Sequence, residues 1–124
     1  MAKINFKPTA PLTGWLEYLL KGTMLEPPVL RLRLRPIDQY DIIDATIQDG
    51  ELRAGRTLAA AAEKSVAEWD LEDQDGKPIA VTDENKETYL RPILGEQLKD
   101  KPAGLLLGIQ IVRDARAREN FLKN

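Results

Sequence analysis

Val29-Leu30-Arg31-Leu32-Arg33-Leu34-Arg35 alternates aliphatic and arginine side chains at period two. Successive side chains of a strand point to opposite faces, so this pattern predicts a half-buried strand with its leucines inward and its arginines toward water. Pro36 suits the first position of a helix, and Ile37, Tyr40, Ile43 and Ile47 follow at helical spacing up to Gly50, a natural stop. The expectation is a strand that feeds directly into a helix over about 36–50. Upstream, Leu16, Tyr18 and Leu20 alternate like a second strand, although Trp15, Leu16, Leu19 and Leu20 also fit a helix face; Pro8 and Pro11 mark residues 1–13 as an extended, flexible arm.

Downstream the periodicity lengthens. Leu58, Ala62, Val66 and Trp69 fall at i, i+4, i+8 and i+11 around an alanine run, predicting a second helix that reaches Trp69. An acidic stretch from Asp70 to Asp75 then meets Gly76, and Asp-Gly predicts a tight turn in an exposed hairpin or loop. Thr82 is a good N-cap, followed by Asp83 and Glu84 in the first turn, and Pro92 is expected to close that short helix. Pro102 opens a final helix carrying Leu105, Ile109, Val112 and Arg116 on one stripe and extending toward Leu122. The expected fold is α+β, a small N-terminal β-strand region followed by a mainly α-helical body, and 124 residues fit a single domain over 1–124.

Composition narrows the chemistry. The chain has no histidine and no cysteine, which removes the usual neutral-pH general base, the thiolate nucleophile and the commonest transition-metal ligands. The longest apolar run, Ala103 to Val112, is too short to span a bilayer, and the first residues lack the apolar core of a secretory signal. A cytoplasmic location is expected. Charge is uneven: residues 1–35 carry six bases and two acids, residues 63–100 five bases and eleven acids, and residues 101–124 five bases and two acids. Such polarity suits head-to-tail attraction between copies or steering of a charged partner, and lacks the concentrated basic face that nucleic acid requires.

The acids between Glu63 and Asp75 make a poor calcium loop, because twelve residues counted from Asp73 end on Glu84 but put Pro78, Ile79, Ala80 and Val81 in the body of the loop. No metal ligand, cofactor-binding residue or catalytic residue is assigned. The aromatic residues Trp15, Tyr18, Tyr40, Trp69 and Tyr89 are expected mainly in the core. Phe121 and Leu122 differ, since they sit in a charged tail; they either dock on a partner or fold back. The candidate protein-binding residues are therefore Leu105, Ile109, Val112, Arg116 and Phe121, although the first three suit a core equally well.

The run Val66-Ala67-Glu68-Trp69-Asp70, the turn Asp75-Gly76-Lys77-Pro78 continuing to Asn85, and the ending Phe121-Leu122-Lys123-Asn124 together resemble the tail assembly chaperones of siphophages. The resemblance covers about two thirds of the chain. It implies a non-enzymatic homo-oligomer in the host cell cytoplasm that binds and solubilises the tape measure protein while tail tube subunits polymerise around it. It also implies a longer form made by ribosomal frameshifting, whose extension recruits the tail tube protein. Two other readings stay open: a structural neck or tail-completion protein retained in the virion, and a small carboxylate-dependent hydrolase.

Overall fold

The computed structural model describes residues 1–20, 25–37, 47–48, 51–52, 54–94 and 107–123, and for 47–48, 51–52 and 54–59 it describes the backbone alone. Its centre is the leucine-arginine strand. Strand β2, Val29–Leu34, lies between β1, Leu16–Leu19, and β5, Val66–Trp69, in an antiparallel sheet of order β1-β2-β5. Leu30, Leu32 and Leu34 are each fully buried, whereas Arg31 and Arg35 are exposed and Arg33 half-buried. Burying each leucine is worth about 1.5–3 kcal/mol, so this one face anchors the core. On the other face Arg31 meets Glu17 of β1 at 2.8 Å and Arg33 meets Glu68 of β5 at 3.0 Å, pairing charges across neighbouring strands. A short hairpin of β3, Ile47–Gln48, and β4, Glu51–Leu52, forms a separate two-stranded sheet.

Helix α1, Ala54–Ser65, packs against α3, Leu107–Arg116, which also touches β2. Between them in sequence, Thr82 caps α2, Asp83–Asn85, by accepting a hydrogen bond from the Asn85 amide at 3.0 Å. The chain then widens into a π-turn over Lys86–Leu90 and remains helical through 94. A 3₁₀ turn, Arg118–Phe121, follows α3.

Five expectations are corrected by this arrangement. An N-terminal strand region followed by a mainly helical body does not describe the fold, because the helices are short and the sheet recruits β5 from beyond α1. The second helix stops at Ser65, whose carbonyl accepts the Arg35 amide at 2.7 Å and hands the chain to the sheet. Leu34 pairs with Val66 but Arg33 pairs with Glu68, so Ala67 is the extra residue of a β-bulge. The bulge lets Val66 and Trp69, three residues apart, both reach the core, which imitates helical spacing. Ile47, read as the end of a helix, is in β3, and residues 38–46 of that expected helix lie outside the described residues. Pro92 does not close its helix; the π-turn before it contains the Arg91 amide bonded to the Lys86 carbonyl, and helix continues past the proline. The final helix ends at Arg116 instead of Leu122 because Ala117 turns extended.

The proline-rich arm is tethered at its C-terminal part. Thr9 pairs with Leu122, the Ala10 amide donates to the Phe121 carbonyl, and the Lys123 amide donates to the Pro8 carbonyl at 3.3 Å. Thr13 is fully buried: its hydroxyl donates to the Gly14 carbonyl and accepts from the Leu34 amide, extending the pairing of β2. Residues 1–7 remain exposed.

A buried polar link joins sheet to helix. The Tyr18 hydroxyl donates to the Asp114 carboxylate at 2.7 Å. Burial first, then this hydrogen bond and the negative charge of Asp114, push the phenol pKa far above its ordinary value. Tyr18→Phe is expected to cost about 1–3 kcal/mol, read from urea unfolding, because Asp114 loses a charge-assisted partner.

Candidate protein-binding groove

The residues nominated from the final helix are distributed rather than gathered on one surface. Val112 and Phe121 are buried, Ile109 is half-buried, Arg116 is exposed, and Leu105 lies outside the described residues. The inward stripe of α3 is Leu107, Ile111, Val112 and Ala115, packed toward α1 and β2, so much of the apolar surface of this helix serves the core. Phe121 folds back, its carbonyl held by the N-terminal arm. Among the aromatic residues, Tyr18 and Trp69 are core, Trp15 and Tyr89 are exposed, and Tyr40 lies outside the described residues.

An apolar cleft of about 450 Å³ opens elsewhere, between the loop after β5 and the helical run over 83–94. Leu25, Leu71, Ile79, Tyr89 and Ile93 give it apolar walls, and Glu72, Asp73, Gln74 and Asp75 line it as well. Ile93 is buried at its base, whereas Tyr89 keeps 41% of its surface exposed and stands at the mouth. The three carboxylate residues are exposed, giving the cleft an acidic rim.

Local chemistry fixes that rim. The Asp73 carboxylate accepts from the amides of Asp75 and Lys77 at 2.8 and 3.0 Å, and the Asp73 amide donates to the Lys77 carbonyl at 2.9 Å. Gly76 adopts φ +77°, where a β-carbon would be strained, and its amide returns to the Asp73 carbonyl at 3.0 Å. One turn beyond, the indole Nε1 of Trp69 donates to the Ile79 carbonyl at 2.6 Å, and the Ile79 amide donates to the Leu71 carbonyl at 3.0 Å. Val-x-x-Trp and Asp-Gly-Lys-Pro therefore cooperate: the tryptophan anchors the returning arm of the loop that the aspartate and glycine turn.

The other wall is braced from α1. Arg91 forks onto Glu63 through Nε and Nη2 at 3.2 and 3.0 Å, tying the 83–94 run to that helix. On the same run, Lys86 is buried. Burial lowers its pKa and the charge of Arg35 lowers it further, against partial opposition from Asp83 and Glu63. Since the folded-state pKa lies below the unfolded value, the unfolded chain binds more protons between the two; stability falls as pH drops through that interval and recovers above the unfolded value. Lys86→Met is accordingly expected to raise Tm by a few degrees at pH 7, with the gain disappearing as pH rises past the ordinary lysine value of 10.5.

Among the described residues, no cluster of three or more His, Cys, Asp or Glu is arranged to hold a metal ion, and no helix is long and apolar enough to cross a membrane. No protein-family model, curated protein or solved structure matches the chain. The sequence reading missed the groove because its walls come from residue 25, the 71–79 loop and residues 89–93, which no single periodicity unites. The available signal was Leu71 and Ile79, two aliphatic residues flanking a polar turn.

Proposed function

We propose that this chain is a non-enzymatic tail assembly chaperone of a long-tailed phage, working in the host cytoplasm, whose client is the tape measure protein. The observation that carries the reading is the groove: an apolar base with an aromatic residue at its mouth and acids along its edge. A groove of this kind suits the apolar stripe of an amphipathic helix whose flanks are basic, and it holds such a segment by burial and charge without chemistry. The tape measure protein is long and helical, so many copies of a small binding module would be needed to shield it. Recruitment of the tail tube protein is assigned to a frameshifted longer form.

Co-expression with the long helical protein encoded downstream tests this reading. Recovery of that protein from the soluble fraction in a complex with several copies of this chain supports it. A partner that stays insoluble or unbound, with this chain built into purified particles, overturns it in favour of a structural neck or tail-completion component.

A further inference from the structure

We infer that the acid-rimmed groove of one copy receives the N-terminal arm of a second copy, linking chains head to tail; the proposal concerns the same groove as the chaperone reading and identifies the occupant it holds when no client is present. The arm segment Lys3-Ile4-Asn5-Phe6-Lys7 alternates basic or polar with apolar residues, and Ile4 and Phe6 are 76% and 62% exposed. Phe6 has Arg118 set 5.8 Å from its ring centroid, yet most of its surface still faces water. Two bulky apolar side chains at period two, flanked by lysines, are complementary to an apolar cleft of about 450 Å³ edged by Glu72 and Asp75.

Within one chain the two surfaces stay apart: residues 1–7 are exposed throughout, and none of them lines the groove. The tether of Pro8, Thr9 and Ala10 to residues 121–123 fixes where the arm leaves the body, so its extended portion projects from a defined point. A contact between two different patches of identical chains is heterologous, and its repetition gives a ring when the rotation closes and a filament when it does not.

Charge exchange tests the pairing with the full chain and no client. One variant carries Lys3→Glu and Lys7→Glu; the other carries Glu72→Lys and Asp75→Lys. All four positions are exposed, and Asp73 is left in place because it holds the turn. Sedimentation velocity of the native chain is expected to show concentration-dependent oligomers that weaken with salt. Each variant alone is expected to lose self-association by about tenfold or more, and an equimolar mixture to regain it, since each reversed arm then meets a reversed groove. A native chain that stays monomeric, variants that associate as the native chain does, or a mixture no better than its components would overturn the inference. Client capture by the arm variant, whose groove is unaltered, is scored separately, so failure of self-docking is distinguishable from failure of the chaperone reading.

Discussion

Trp69→Ala is expected to destabilise the fold by about 3–5 kcal/mol, the range for removing a buried large aromatic side chain. Trp69 is 7% exposed, ends β5 opposite Leu32, and belongs to the same core as the β2 leucines. Its loss leaves a cavity beside the central strand and also releases the Ile79 carbonyl from the indole donor at 2.6 Å. Trp69→Phe separates the two effects: it keeps most of the apolar volume, loses the hydrogen bond, and should cost about 1–2 kcal/mol. Equilibrium urea unfolding gives both values. A cost for Trp69→Ala below about 1 kcal/mol would mean that the tryptophan does not anchor the loop or fill the core.

Tyr89→Ala is expected to weaken binding of the proposed client by about thirtyfold, corresponding to roughly 2 kcal/mol for truncating an aromatic side chain that closes over a docked segment. Its partial exposure at the mouth of the groove makes the substitution mild for the fold, so Tm should move little. Arg116→Ala makes the matching control, because Arg116 is exposed near the end of α3 and does not line the groove; its affinity should stay within about twofold of the native value. Calorimetric titration with a soluble client fragment distinguishes the two surfaces. Equal losses for both variants would contradict the groove as the docking site.

The sheet was legible where one residue decides one face. Leu30, Leu32 and Leu34 point inward because a half-buried strand obeys period two, and Thr82 caps because its oxygen reaches the Asn85 amide. Legibility failed where a long-range contact overrides a local period. Val66 and Trp69 sit at a helical spacing, yet the bulge at Ala67 achieves the same burial in a strand, and only the pairing with β2 decides between them. Ile47 and Leu52 pair across a hairpin whose intervening residues, Asp49-Gly50, are themselves a hairpin signal that the isoleucine spacing obscured.

The binding surface was less legible for a related reason. Of the stripe read as Leu105, Ile109, Val112 and Arg116, the members within α3, Ile109, Val112 and Arg116, lie beside the stripe that packs, Leu107, Ile111 and Ala115, and both share Val112 at their margin. A helix with apolar residues at 107, 109, 111 and 112 offers both stripes, and the position of α1 and β2 selects the inward one. Phe121 looked stranded among charges because its partner, the arm at Ala10, is more than a hundred residues away in sequence.

Hydrogen exchange of the Lys3→Glu, Lys7→Glu chain, whose reversed arm leaves the groove free, alone and in complex with a fragment of the proposed helical client, tests the central claim most directly. The account predicts added amide protection over 71–79 and 86–93, the two walls of the groove, with no change over 107–116. Protection confined to 107–116, or none at the groove in a complex that forms, would contradict it.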